Sequence, residues 1–547
     1  MSVGVLGPFD RKDLDALLFL ENRSEEDCAM TQRPNIVCFI TDDTGFNMLG
    51  YAGGPVLTPN IDSIAREGVV CSNFFTAAPA CTPSRFSYLT GLYPGHCLAP
   101  RYRAENPAGS QARVDFNVDV LPGSVNYGSL FQKAGYQTAY VGKWHTGIPR
   151  RELNGFRYKP DDDPARPEVA AKLEKDYASM LEQVKGAGFD FADGVVWGNT
   201  DGRPIKALQE HNLEWTTAAA LDFLDNHLDT DRPFFLTMDT TTIHGPHHID
   251  SMETDGRQTE RGYIDAMPEV QPPRHSVISR LQAAGVEVNH QSAGALWMDD
   301  AFGAVMGKVH ELGLADDTIF IWSTDHGPGT IDGKFSCYDG GVRIPFCMKW
   351  KGRISPGGRC DAPIQNIDFL PTLMDMAGLT PSSDLKIDGV SRWPQIQGRP
   401  DSREELYFEW GLTRAIRTRK WKYIAWRHSP DQIEAMKSGK VPMAYNTRGV
   451  PQGEFCMHFY PHYFDPDQLF DLESDPREQR NLANDPAYAD VLTEMRERLW
   501  KKLESFDHLF PRDADPFVHS KAYNALCKKT MEDQSMREAD WFKRKAY

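Results

Sequence analysis

Asp42-Asp43 and Asp325-His326 each set two metal-capable side chains directly behind an apolar, β-rich run. Three carboxylates and a neutral imidazole suit a hard divalent cation, calcium or magnesium, and the imidazole also admits manganese. One Asp pair alone reads as a turn or a helix cap. Two pairs behind two strands read as a cation site. Lys143 and His145 share the segment G-K-W-H-T-G and together could hold and deprotonate a hydroxyl nucleophile. His244 has His247 and His248 as neighbours; one of the three could protonate a leaving oxygen while the others cap or line a pocket. Lys334 would bring positive charge to a bound oxyanion, or is a solvated loop lysine. Cys81 opens the string Cys81-Thr82-Pro83-Ser84-Arg85, a thiol ahead of a Pro-led helical turn with an arginine one turn on. Free thiols are usually buried and inert, so the string by itself leaves its use open.

These residues must be carried by something rigid. Asn35 to Ile40, Gln137 to Val141, Phe234 to Met238 and Thr318 to Trp322 are apolar runs of the kind buried on both faces of a sheet. Each delivers Asp, Lys or His at or just beyond its carboxyl end. Between them, Ser124 to Ala134, Thr216 to His227 and Ala293 to Leu312 read as helices, the first and last stopped by Gly135 and Gly313. Alternation of this sort predicts an α/β fold with a large, mainly parallel, doubly wound sheet. Ligands of such sheets bind outside the carboxyl ends of the strands, where the candidate residues converge.

The texture changes after Pro400. Glu405 to Trp410 and Arg414 to Trp426 predict short antiparallel strands, and Tyr488 to Phe506 an amphipathic helix. We therefore expect an N-terminal extension over 1–30, a catalytic domain over 31–400, a smaller α+β domain over 401–507 and a tail over 508–547. The tail, with Asp515-Pro516-Phe517 and Trp541-Phe542 as apolar anchors, would dock on the chain's own body or support a homo-oligomer. Leu98 to Asn117, Arg150 to Lys185 and His247 to Val286 read as loops that would select the leaving group. Trp421 to His428 and His458 to Phe464 are candidates for a sugar site.

A length of 547 residues exceeds one ordinary core. The net charge of −17 repels nucleic acid and anionic membranes, and it obliges any anion site to build its own positive pocket. The ten cysteines form no C-x-x-C pair, which excludes a zinc framework and a dense disulfide scaffold. The N-terminus lacks a basic segment and a long apolar run, and no stretch predicts a membrane span, so the expectation is a cytoplasmic protein.

Taken in order, Asp-Asp, C-x-P-S-R, G-K-W-H, H-x-P, D-H-G and K-x-x-x-Y-D-G-G-x-R-x-P resemble the type I sulfatases of the alkaline phosphatase superfamily. The similarity runs from about Pro34 to Pro345 and continues through Leu469-Phe470-Asp471-Leu472. It implies that a formylglycine-generating enzyme oxidises Cys81 to formylglycine, whose hydrate is the nucleophile. It implies Asp42, Asp43, Asp325 and His326 as ligands of one divalent cation, calcium before magnesium or manganese, with the modified Cys81 completing the shell. Arg85 resembles the arginine that fixes the formylglycine, Lys143 and His145 the pair that holds its hydroxyls, and His244 and Lys334 the residues that grip the sulfate and its leaving oxygen.

Many relatives have Asn where this chain has His326. Histidine there resembles iduronate- and choline-type sulfatases and the phosphonate monoester hydrolases, but the latter usually carry Asp-Gln at the first metal pair. The expected activity is hydrolysis of an aryl or carbohydrate sulfate monoester. The rivals are a phosphonate monoester hydrolase or phosphodiesterase on the same scaffold, and an unmodified pseudoenzyme that binds sulfated glycans. A mutase- or phosphatase-like relative would need a Ser or Thr nucleophile and two metals, for which the ligands are too few.

Overall fold

The structure, a computed structural model, describes residues 33–328, 333–440 and 455–532. Its centre is an eight-stranded sheet. In chain order the strands are β1 (Asn35–Thr41), β2 (Val69–Cys71), β3 (Gln137–Trp144), β4 (Phe191–Trp197), β5 (Phe234–Asp239), β6 (Thr318–Thr324), β7 (Phe346–Trp350) and β8 (Gly358–Cys360). In space they run β8-β2-β7-β6-β1-β5-β3-β4. Only β7 is antiparallel to its neighbours, β6 and β2. The four runs expected as strands are thus consecutive and mutually parallel, β6-β1-β5-β3.

Period-two alternation divides the core into two layers. Ile36, Cys38 and Ile40 of β1 face one apolar cluster, and Val37 and Phe39 face the other. Ile319 and Ile321 of β6 join the first, Phe320 and Trp322 the second. Helix α1 (Pro59–Glu67) covers the second face, and α2 (Cys81–Thr90) the first. Helix α3 (Tyr127–Lys133) joins α2 there, while α5 (Leu213–Asp222) and α6 (His290–Glu311) pack with α1. Three of these helices begin where an Asn side chain caps the first backbone N–H groups: Asn126, Asn212 and Asn289.

All ten residues of α2 are buried, and it ends at Gly91 with φ 70°. Pro83 sits in its first turn, where no intrahelical N–H is needed. Cys81 therefore opens the helix itself rather than preceding it.

The smaller C-terminal domain carries a four-stranded antiparallel sheet, β9 (Leu406–Trp410), β10 (Thr413–Arg417), β11 (Trp421–Trp426) and β12 (Asp467–Asp471). Helix α7 (Ala489–Leu503) packs on it through Met495 and Leu499. The run Arg414 to Trp426 is two strands of this sheet. The described part of the tail docks on the chain itself, where Val518, Tyr523 and Cys527 pack with Ile433 and Met436. The extension over 1–30 and the Trp541-Phe542 anchor lie outside the described residues.

Two expectations need correction. The segment Arg150 to Lys185 is not a loop: most of it is α4 (Pro167–Gly186), whose Val169, Leu173, Tyr177, Met180 and Val184 are buried at helical spacing. Short helices also occupy Pro100–Glu105, His248–Glu253 and Val277–Ala283 in the other two segments. In Trp421 to His428 and His458 to Phe464, expected as a sugar site, three of the aromatics are packed inward instead. Trp426, Tyr463 and Phe464 pack on one another, and Trp426 and Tyr463 are only 3% and 6% exposed. Among the described residues no helix is long and apolar enough to cross a membrane.

Candidate active site

Parallel register aligns the carboxyl ends of the four central strands. Thr41 pairs with Thr324, and Asp239 pairs with both Ile40 and Gly142. Strands lie about 4.8 Å apart, so the next residues of each strand meet on one rim. Asp42 and Asp43 come from β1, Asp325 and His326 from β6, and Lys143 from β3. Asp43 adopts φ 58°, a left-handed turn that Asp tolerates better than most side chains.

The rim of β3 depends on Gly142. Its φ is 91°, and a Cβ there would sit 1.7 Å from the carbonyl oxygen of Asp239. The register against β4 shifts between Val141 and Lys143. This bulge turns Lys143 into the site, where Nζ reaches Asp42 Oδ2 and Asn199 Oδ1, the latter at 2.5 Å.

The potential ligand atoms of Asp42, Cys81, Asp325 and His326 all lie within 4.8 Å of one another, and the four residues are buried. Cys81 Sγ is 3.6 Å from Asp42 Oδ1 and 3.2 Å from His326 Nε2. It stands at the N-terminus of α2, where the helix dipole favours negative charge. Asp43 stands beside this group. Its Oδ1 accepts from Lys334 at 2.6 Å, and its Oδ2 is 3.8 Å from His244 Nε2.

The donor set fits a divalent cation. His326 Nδ1 donates to the Gly327 carbonyl at 2.9 Å, which turns Nε2 toward the thiol and the carboxylates, as a ligating imidazole requires. Burial opposes the charge of His326, yet Asp325 outweighs it and holds its pKa up at about 9. A cation in the cluster would supply that compensation with greater charge and release the proton. Burial likewise opposes ionisation of Asp42, but Lys143, His244, Lys334 and Arg85 overcome it and hold the carboxyl well below the usual range. Asp325 is pushed up by burial and by Asp42.

Arg85 lies one turn into α2, 2% exposed, between two carboxylates: Asp239 at 2.5 Å and Asp325 at 3.1 Å. It ties the helix that carries Cys81 to two strand ends. The Nδ1 atom of His145 is buried without a hydrogen-bond partner. Burial and the neighbouring Lys143 hold this imidazole well below its usual pKa, neutral and able to accept a proton. His244 donates from Nδ1 to the Gly245 carbonyl at 3.0 Å, leaving Nε2 toward the site. His247 and His248 do not join it. His248 stacks between His211 and His290, and His247 lies over His290.

Two residues outside every sequence motif take part. Asp239 anchors Arg85 and also accepts from Tyr140 at 3.1 Å and Thr237 at 3.0 Å. Asn199 accepts from Lys143, so its amide nitrogen donates to His244 Nε2 at 3.1 Å. The signal for Asp239 was position, just beyond the apolar end of β5, whereas Asn199 follows an edge strand interrupted by Asp193 and Gly194.

A family model described as Sulfatase matches residues 34–379, and one described as N-sulphoglucosamine sulphohydrolase, C-terminal, matches residues 328–448. Steryl-sulfatase of Rattus norvegicus is 25% identical, covering 84% of this chain and 87% of its own length. N-acetylgalactosamine-6-O-sulfatase of Bacteroides thetaiotaomicron is also 25% identical, covering 86% and 93%. Among solved structures, a protein in complex with its substrate D-glucosamine-2-N,6-O-disulfate superposes with a TM-score of 0.55 at 20% identity, over 87% of this chain and 98% of that one. Another, solved with k-i-k-neocarrahexaose, gives 0.54 at 20% identity over 93% and 99%. These two share the fold, large mixed sheet and smaller C-terminal domain alike. With the family model spanning most of the catalytic domain and full-length sulfatase relatives beside it, the chain belongs to the sulfatase family and is a sulfatase, an enzyme that hydrolyses sulfate esters.

Proposed function

We propose that this sulfatase cleaves a carbohydrate sulfate monoester through Cys81 in its formylglycine form, with one divalent cation, calcium by preference, on Asp42, Asp43, Asp325 and His326. The observation that carries this reading is the convergence of Cys81 with two carboxylates and an imidazole within 4.8 Å at a helix N-terminus. The cation would polarise a sulfate oxygen, and the aldehyde hydrate would supply a nucleophilic hydroxyl together with a second hydroxyl through which sulfate can later be expelled.

The chain's own residues supply the rest. Lys143 and Lys334, both buried, neutralise oxyanion charge, and preorganised electrostatics of this kind is usually the largest catalytic contribution. Burial works against the Lys334 charge, but Asp43 keeps its pKa above the usual value, so it stays cationic. His145, neutral and unpartnered at Nδ1, takes up a hydroxyl proton. His244, once it takes up a proton at Nε2 in place of the hydrogen bond it accepts there from Asn199, delivers that proton to the departing alcohol. Asn199 links Lys143 to His244 and so keeps nucleophile and leaving group in one frame. Carbohydrate is favoured as the leaving group because the adjoining cavity, lined by residues such as Arg203, Glu260, Trp197 and Phe116, mixes charged hydrogen-bonding groups with aromatic faces.

Mass spectrometry of the Cys81 peptide after co-expression with a formylglycine-generating enzyme tests the modification, and Cys81→Ala tests the nucleophile. An aldehyde or hydrate in the peptide, with sulfate release lost in a folded Cys81→Ala variant, is the expected result. Sulfate release that survives in Cys81→Ala would overturn the assignment.

A further inference from the structure

Next to the catalytic cluster lies a cavity of about 640 Å³, the size of a small-molecule site rather than of a single sulfate. Thr82, His145 and Asn199 line it, so it opens on the side from which the alcohol departs. Phe116 and Trp197 flank His145 with ring centroids 5.9 Å and 6.4 Å away. These are surfaces against which the C–H face of a sugar ring can rest.

The charges around the cavity are not evenly matched. Arg101, Arg157 and Arg203 line it with Asp176 and Glu260. Arg203 pairs with Glu260 at 2.7 Å, deep in the wall. Asp176 is buried and accepts from Tyr158 at 2.7 Å and Asn154 at 3.0 Å. Arg101 binds Asp119 along one edge, through Nε at 2.9 Å and Nη2 at 2.5 Å. That grip holds the guanidinium in place and leaves its Nη1 edge for something else. Arg157 donates one long bond, 3.4 Å to the Phe156 carbonyl, and no ion pair engages it among the described residues. Among the described residues both carboxylates lining the cavity are therefore taken, while one guanidinium is not.

We propose that the cavity binds a leaving group bearing a second anionic substituent, a sulfate or a carboxylate, held by Arg157 with the Nη1 edge of Arg101 as the second donor. The substrate class is then a polyanionic saccharide rather than a neutral sugar, aryl or steroid sulfate. In a chain of net charge −17, a ligand carrying two negative groups needs such a local counter-charge. The proposal rests on sulfate ester hydrolysis at Cys81 and specifies what lies beyond the scissile oxygen.

Calorimetric titration of Cys81→Ala, in buffer containing calcium, separates binding from turnover. The probes are N-acetylglucosamine 6-sulfate, N-sulfoglucosamine 6-sulfate, and a disaccharide joining N-acetylglucosamine 6-sulfate to a uronic acid. A doubly anionic probe should bind at least about tenfold more tightly than the singly sulfated sugar, the worth of one charge-assisted hydrogen bond. Arg157→Gln in the same background should erase that preference, and the probe that gains identifies the second anion as sulfate or carboxylate. Equal affinities, no binding of either doubly anionic probe, or a preference that survives Arg157→Gln with Arg101→Gln overturns the proposal. Turnover by the unsubstituted enzyme distinguishes the two readings. Sulfate release without the binding preference refutes the second-anion site alone, whereas the preference without sulfate release refutes the hydrolytic reading alone.

Discussion

Replacing Asp239 tests whether Arg85 is held by two carboxylates or by one. The Arg85 and Asp239 side chains are 2% and 5% exposed, and their charged atoms are 2.5 Å apart. Removing one partner of a buried pair usually costs about 3–5 kcal/mol, because the other charge stays in a medium that solvates it poorly. Asp239→Ala leaves Arg85 with Asp325 at 3.1 Å and the Thr41 carbonyl at 3.3 Å, which moderates the loss. It also removes the acceptor of the Thr237 hydroxyl, while Tyr140 keeps the Lys143 carbonyl at 2.5 Å. Together these give an expected loss of about 3 kcal/mol in urea unfolding. Arg85→Met should cost at least as much, because it strands two carboxylates. The combined Asp239→Ala and Arg85→Met variant should fall short of the sum by about 1.5 kcal/mol or more, the mark of groups in direct contact. A loss under about 1 kcal/mol for Asp239→Ala, or strict additivity in the cycle, would show that Asp325 alone positions Arg85.

Other outcomes follow from the same geometry. Gly142→Ala forces a Cβ to within 1.7 Å of a backbone oxygen at φ 91°. It should cost about 3 kcal/mol or more in urea unfolding and lower sulfate release, and a neutral result would dismiss the bulge as the device that aims Lys143. Burial, with Arg203 and His244 nearby, holds His211 down at about 3. The unfolded chain takes this proton first, so the stability it contributes is full above about pH 6.5 and is lost as pH falls toward 3. The melting temperature should therefore decline over that range, and less steeply in His211→Gln; equal slopes would assign the acid sensitivity elsewhere. Treatment with a chelator should lower both the melting temperature and sulfate release, and calcium should restore them better than magnesium. Indifference of both readouts would remove the cation from the site.

The strand ends that build the site were legible because their physics is local. A strand buried on both faces must be apolar throughout, as Asn35 to Ile40 and Thr318 to Trp322 very nearly are, so the first polar residues beyond it mark the rim. Asp239 follows the same rule one residue beyond Met238, yet a lone Asp at a strand end looks like any turn residue. Its meaning arises only because β5 lies between β1 and β3 and Arg85 reaches it from α2. Strand β4 was harder still. As an edge strand with Asp193 and Gly194 inside it, it has no continuous apolar run to announce Asn199. Helix α4 differs from both, because its buried positions recur at helical spacing and the signal was present. The charged, Pro-rich approach over 160–167 disguised it, although Pro167 opens the helix. The cavity beyond His145 was illegible for a deeper reason. Its lining is drawn from separate segments between Thr82 and Glu260, and no spacing along the chain encodes which side chains meet across it. The candidate cation ligands Asp42, Asp43, Asp325 and His326 follow strand ends and Cys81 opens a helix, so short motifs reveal them. The choice of leaving group depends on surfaces far apart in sequence, and only the folded chain assembles Arg101, Arg157 and Trp197 around one ligand.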